Sequence, residues 1–121
     1  MKYDIADNLF GRYIKELAEW KCEYCSVDYR ENPRGLNCSH YWGRAKKNTR
    51  FEPDNCMALC YGHHKRLGHG DGREEYKRIM IRKLGEKRFK SLDMQAHTPA
   101  KDFDWKLERV KWRLALKELI K

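Results

Sequence analysis

A chain of 121 residues, 40% hydrophobic and with a mean hydropathy of −1.00, has material for one modest core, and no run in it approaches the ~18 apolar residues of a membrane span. Its 27 Lys and Arg against 18 Asp and Glu leave a formal charge of +9, which favours a polyanionic partner. The N-terminal Met1-Lys-Tyr-Asp-Ile-Ala-Asp7 lacks the apolar segment of a signal peptide, so a cytoplasmic location is expected, where five cysteines point to metal ligation before disulfides.

Asp7 is the expected N-cap of a first helix, along which Leu9, Phe10, Tyr13, Ile14, Leu17 and Trp20 recur at helical spacing. Cys22 to Asn37 is polar, with a turn at Asn32-Pro33-Arg34-Gly35. Leu36 to Trp42 reads as a short strand, Gly43 to Thr49 as a basic loop, and Arg50-Phe51-Glu52 as a returning second strand before Pro53. Tyr61 to Leu67 begins a helix that stops at Gly68, Gly70 and Gly72.

Beyond that cluster the chain reads as helical. A helix opens at the capping-box-like Asp71-Gly-Arg-Glu74, carries Tyr76, Ile79, Met80 and Leu84, and ends at Gly85. A short helix with Phe89 and Leu92 follows. After Pro99, with Asp102 as cap, a long helix runs from Phe103 to Ile120. Phe103, Leu107, Val110 and Leu114 line one of its faces, with Trp105, Trp112, Leu116 and Leu119 roughly opposite. Two readings are open: a helix sandwiched within its own domain, or one stripe covered by a second subunit or another protein. With no repeat or linker, residues 1–121 are expected to form one domain, with a core over 20–70 and a helical extension over 71–121.

The chemistry lies in the core. Cys22-x2-Cys25 and Cys60-x2-His63 are paired knuckles, a spacing that lets four side chains reach one tetrahedral Zn2+. A Cys3His site leaves no open position, so this zinc is expected to be structural and to contribute folding free energy. Cys38 and Cys56 are left over and read as small buried hydrophobes, with Cys56 also an alternative to His63 in the zinc shell. His69, in Gly68-His-Gly70, could approach a second metal but is expected in a solvated loop, and His97 is expected on the surface.

His40, Asn55 and His64 are not used by that centre. Hydrolysis of a phosphodiester needs a base near the attacking water and a cation where negative charge develops. An imidazole titrating near neutrality is a natural base, and an Asn can hold a loop by hydrogen bonds. His64 follows His63 directly, so on a helix it points about 100° away, toward a separate site.

The segment Asn55-Cys-Met-Ala-Leu-Cys60-Tyr-Gly-His63-His64 fits the pattern Asn-x4-Cys-x2-Cys-His, with His63 in place of the second cysteine. Together with Cys38-Ser-His40-Tyr and Thr49-Arg-Phe-Glu-Pro-Asp-Asn55, it resembles the HNH endonucleases of ββα-metal fold, and within them the phage and prophage branch of NinG-type recombination proteins. The resemblance covers residues 20 to 70. It implies an α+β protein with a small zinc-stapled ββα-metal core flanked by N-terminal and C-terminal helices. It also implies His40 as general base, Asn55 as the residue that fixes the active-site loop, and His64 as ligand to a catalytic Mg2+, Mn2+ or other divalent ion. Many members carry Asp just before the base, as a further ligand; this chain has Ser39, which offers no carboxylate.

Arg44, Lys46, Lys47 and Arg50 crowd the loop between the expected strands, and Lys65 and Arg66 follow His64. Beside such a motif these read as phosphate contacts to DNA. Tyr41 and Trp42 are open between core packing and base stacking. The expected activity is metal-dependent DNA endonuclease. Two alternatives stand beside it: a zinc-stapled DNA-binding protein with a lapsed nuclease site, which Ser39 favours, and a zinc module for protein contacts.

Overall fold

A computed structural model describes residues 2–121, an α+β arrangement of six helices about a two-stranded antiparallel sheet. Helix α1 is Ile5–Leu17. Its cap is Asp4 and not Asp7: the Asp4 carboxylate accepts from the Ala6 N–H (2.9 Å), while Asp7 accepts from the Asp4 N–H (2.8 Å). Asp7 is the third position of a reciprocal capping box, which draws an acidic residue as strongly as the cap itself does.

Strand β1 (Leu36–His40) pairs with β2 (Cys56–Cys60), setting Leu36 opposite Cys60 and His40 opposite Cys56. The second strand is therefore not Arg50-Phe51-Glu52. Arg50 closes a single helical turn, α2 (Lys47–Arg50), and a 3-10 turn at Pro53–Asn55 leads into β2. The run Cys-Met-Ala-Leu-Cys becomes the strand because both of its faces are covered, and all five residues are buried. Its outer edge is covered too. The Glu23 N–H donates to the Ala58 carbonyl (2.8 Å), the Ala58 N–H donates to the Glu23 carboxylate (2.7 Å), and the Lys83 ammonium donates to the Cys56 carbonyl (3.2 Å).

β2 runs directly into α3 (Tyr61–His64), which widens into a π turn over Lys65–His69. Helices α4 (Arg73–Leu84), α5 (Glu86–Ala96) and α6 (Trp105–Leu119) follow. Gly72 precedes α4 without a side-chain cap, so Asp71 does not start it. Gly85 joins α4 to α5 as a single residue at φ 84°, a conformation that suits glycine alone. Asp104, and not Asp102, caps α6 by accepting from the Leu107 N–H (3.1 Å); Asp102 pairs instead with Lys47.

Two apolar clusters pack on the sheet. Met57 and Leu59 meet Leu67, Tyr76, Met80 and Phe89 in one. Cys56 meets Ala6, Phe10 and Ile14 of α1 and Trp112 of α6 in the other. Phe10 stands edge-on to Trp112 (centroids 4.7 Å apart) and to Phe51 (5.6 Å), joining α1, α6 and the loop before β2. Trp112 and Leu116 are buried, whereas Leu107, Val110 and Leu114 are 62%, 46% and 58% exposed, so the chain itself covers only one stripe of α6. Among the described residues no helix is long and apolar enough to cross a membrane.

Candidate metal centre and active-site cavity

The first knuckle hangs from the end of α1, where the Cys22 N–H donates to the Val27 carbonyl and the Ser26 N–H returns to the Cys22 carbonyl. Cys60 ends β2, and His63 lies in the first turn of α3. Ligand atoms of Cys22, Cys25, Cys60 and His63 all fall within 4.8 Å of one another. His63 Nδ1 is 3.1 Å from Cys60 Sγ and 3.9 Å from Cys22 Sγ. These values bracket the roughly 3.5 Å edge implied by Zn–S bonds near 2.3 Å and Zn–N bonds near 2.0 Å in a tetrahedron. Burial opposes ionisation of the Cys22 thiol. The backbone N–H groups of Cys60, Cys25 and Tyr24 and the His63 ring outweigh it and bring the thiol to about 6, so a thiolate is available at neutral pH. The four residues could hold a metal ion such as zinc, and Cys56 is not among them.

Asn55 is fully buried, and its side chain is fully used. Oδ1 accepts from the Trp42 N–H (2.8 Å), and Nδ2 donates to the carbonyls of Trp42 (2.8 Å) and Thr49 (3.0 Å). One amide thus closes the loop over residues 42–49. The next carbonyl, of Arg50, accepts from His40 Nε2 (2.9 Å). A carbonyl only accepts, so Nε2 carries the proton and Nδ1 keeps a free lone pair. Burial holds the His40 pKa below the usual histidine value, the Arg50 carbonyl offsetting this only in part, and the ring stays neutral at pH 7.

His40 and His64 line one cavity of about 220 Å³, roofed by Asn8, Gly11 and Lys15 of α1. Three residues of its wall carry a buried polar atom with no hydrogen-bond partner: Asn37 Nδ2, Arg44 Nη1 and His64 Nδ1. Buried polar groups are rarely left unpaired, so three of them on residues that line one cavity make it a candidate place for a ligand. An amide donor and a guanidinium suit an oxyanion, and a free imidazole nitrogen suits a cation.

His69 is exposed, as expected, but lies in the π turn and not in a loop. An α-helix would hold residues five apart about 140° from each other, but the π turn sets the His69 ring edge-on to His64, with centroids 4.9 Å apart. The only hint in the sequence is the Gly68-His-Gly70 run, which reads equally well as a loop. Beside it Gly68 leaves a gap: an added Cβ would lie 3.6 Å from Ser39 Oγ and 3.7 Å from His64 Nδ1. Ser39 therefore faces the His64 helix, but it is buried and its Oγ accepts from the Tyr76 hydroxyl (2.9 Å).

The basic residues divide. Arg50 does not face solvent. Its guanidinium donates twice to Asp7 (2.9 and 2.6 Å) and once to the Lys2 carbonyl (2.9 Å), and both charged side chains are 4% exposed. A phosphate contact by Arg50 is thereby excluded, because its guanidinium is buried and already taken up by the Asp7 carboxylate and the Lys2 carbonyl. Lys47 pairs with Asp102, and Arg66 pairs with Glu75 and lies over Tyr24. Lys46 and Lys65 are exposed and form no ion pair among the described residues. Arg44 stacks over Tyr3 (4.6 Å) at the cavity. Tyr41 is core, and Trp42 packs half-buried against that core, with His97 edge-on at 4.8 Å.

Comparison with known proteins adds no relative: no family model, curated protein or solved structure matches the chain.

Proposed function

We propose that this chain is a divalent-metal-dependent DNA endonuclease of the HNH type. The observation that carries the reading is the cavity itself, where a neutral imidazole of defined tautomer, a second imidazole with an unpartnered nitrogen, and two unpaired donors converge. His40 Nδ1 accepts the proton of the attacking water, while the Arg50 carbonyl on Nε2 holds the ring in place. Asn55 keeps that carbonyl in position by closing the loop before it. Arg44 and Asn37 bind the non-bridging oxygens of the scissile phosphate.

His64 and His69 are the residues that would hold the catalytic cation, whose role is to neutralise charge on the phosphate and the leaving oxygen. Two imidazoles and no carboxylate favour Mn2+ or a later transition ion over Mg2+, which prefers oxygen donors. The Cys3His zinc is structural in this reading. It ties the end of α1 to α3, and so fixes the helix that carries His64.

A second reading keeps the DNA and discards the chemistry. Ser39, committed to the Tyr76 hydroxyl, supplies no ligand where the resemblance leads one to expect a carboxylate, as in a nuclease site that has lapsed. Conversion of supercoiled plasmid in the presence of Mn2+ separates the two. Cleavage should occur, and His40→Ala should slow it by roughly 10²- to 10⁴-fold, the usual contribution of a general base. Salt-dependent DNA binding without cleavage in any divalent ion would select the binding protein.

A further inference from the structure

Three side chains beside the cavity are used neither by the Cys3His centre nor by the proposed cation site. The ladder sets Cys56 opposite His40, and Cys38 lies two residues before His40 on the same face of β1. One Sγ from each cysteine and a ring nitrogen of His40 all fall within 4.8 Å of one another. Cys56 is 1% exposed and Cys38 is half-buried, so this is a sheltered cluster with an opening at its Cys38 side, where Cys38 and His40 both line the cavity.

A disulfide is the first chemistry to weigh, and the strand register argues against it. Cys38 pairs with Ala58, so Cys56 is its diagonal neighbour. Diagonal partners sit roughly 7–8 Å apart in an antiparallel ladder, beyond the ~4.4–6.8 Å Cα separation that a disulfide spans. The sulfurs fall within 4.8 Å of each other while the register sets their backbones at diagonal positions. A metal ion fits that separation, because it stands between its ligands.

The donor types are also those of a thiophilic ion. Two thiolates and an imidazole suit Zn2+, with a fourth position left over for water or a phosphate oxygen. His40 is already oriented for ligation: its Nε2–H is held by a backbone carbonyl, the outer hydrogen bond that metal-bound histidines typically make, and Nδ1 is the nitrogen left to bind.

We propose that Cys38, His40 and Cys56 form a second, three-ligand site for Zn2+, and that filling it takes His40 away from catalysis. The chain then holds two kinds of zinc: one in the Cys3His centre that supports the fold, and one beside the cavity that inhibits. The inhibitory consequence rests on His40 being the general base; the binding site does not.

The experiment counts zinc and measures cleavage on the same protein. Protein carrying its Cys3His zinc is equilibrated with free Zn2+, passed through a desalting column, and analysed for metal. Wild type should hold two zinc ions per chain. Cys38→Ser, at the half-buried position, should hold one, with second-site affinity reduced by at least the roughly 10–100-fold that loss of an outer-shell partner alone costs. Cys56→Ala, which keeps the buried position apolar, should behave alike. Saturation of wild type at one zinc, or retention of two by both variants, overturns the site. In Mn2+-supported cleavage, added Zn2+ should inhibit wild type and spare Cys38→Ser. A wild type that takes up the second zinc and cleaves undiminished overturns the inhibition. A protein that cleaves under no condition defeats the nuclease reading, while the zinc count still decides the site.

Discussion

Arg50 works through its two ends. Its guanidinium is locked into Asp7 of α1, and its carbonyl holds the His40 ring. The pair is almost wholly buried, so removing one member leaves an uncompensated charge. Arg50→Met should cost about 3–5 kcal/mol, and the double change Arg50→Met with Asp7→Leu should recover most of it. Urea unfolding of the two variants checks this; equal losses would show that the charge pair is not the cause. Nothing in the sequence distinguishes Arg50 from Lys46 or Lys47, because its partner lies 43 positions away at a residue that reads as a helix cap. Neighbouring histidines were easier to separate. Helix phase alone sends His63 and His64 apart, and the structure puts one beside the cysteines and the other on the cavity. His63→Ala should lose zinc and stability together, whereas His64→Ala should keep its zinc and lose divalent-dependent cleavage. Zinc lost from His64→Ala and retained by His63→Ala would reverse the assignment.

Among the elements, the strands and caps show what local pattern resolves. Leu36–His40 was legible as a strand, but Cys56–Cys60 was not, because an apolar run buried on both faces has no period to read. The first helix was legible by its stripe and misplaced at its start, since the cap and the third residue of a capping box draw the same residue types. Asp4 does more than cap. Its carboxylate also takes two hydrogen bonds from Arg109 of α6 (3.0 and 2.7 Å). Arg109 first, and then the Ala6 N–H, lower its pKa from 3.8 to about 2. Between these values the unfolded chain binds a proton that the folded chain does not, so stability is lost as pH falls through that window. Asp4→Asn should therefore flatten the acid limb of an unfolding curve between pH 4 and about 2 while leaving its shape above pH 5 unchanged. An unaltered acid limb would place the α1–α6 tie elsewhere.

At the scale of the molecule, a formal charge of +9 says less about DNA than the placing of a few cations does. Of the six basic residues first read as phosphate contacts, one is buried and two are paired with carboxylates, which leaves Arg44, Lys46 and Lys65. Replacing these three by Gln or Met should reduce the salt dependence of DNA binding by about 0.9 in log–log slope per lost phosphate contact. The change Lys47→Gln should matter less than Lys46→Gln. A slope unmoved by the triple change would carry the DNA path to another face. The cluster of Cys22, Cys25, Cys60 and His63 was the most legible part of the whole, because a two-residue spacing is a local pattern that does not depend on distant packing. The cavity was the least, because its walls come from α1, β1, the basic loop and α3 together.

With zinc in the Cys3His centre, the Glu23 clasp on β2 would give the metal a part in colloidal behaviour. A two-stranded sheet has no interior strand, and what blocks the open side of Cys56–Cys60 is a backbone N–H and a carboxylate from inside the Cys22–Cys25 knuckle, together with Lys83. A metal held by Cys22 and Cys25 would fix the knuckle in place, and stripping it should then uncover five consecutive residues, Cys-Met-Ala-Leu-Cys, with ladder groups unsatisfied and no charge among them. Such an edge recruits another copy of itself. Chelation should thus be followed by rising light scattering and β-rich aggregate, and not merely by a monomer with a loose loop. A Glu23→Ala chain should scatter sooner than wild type even with its zinc in place.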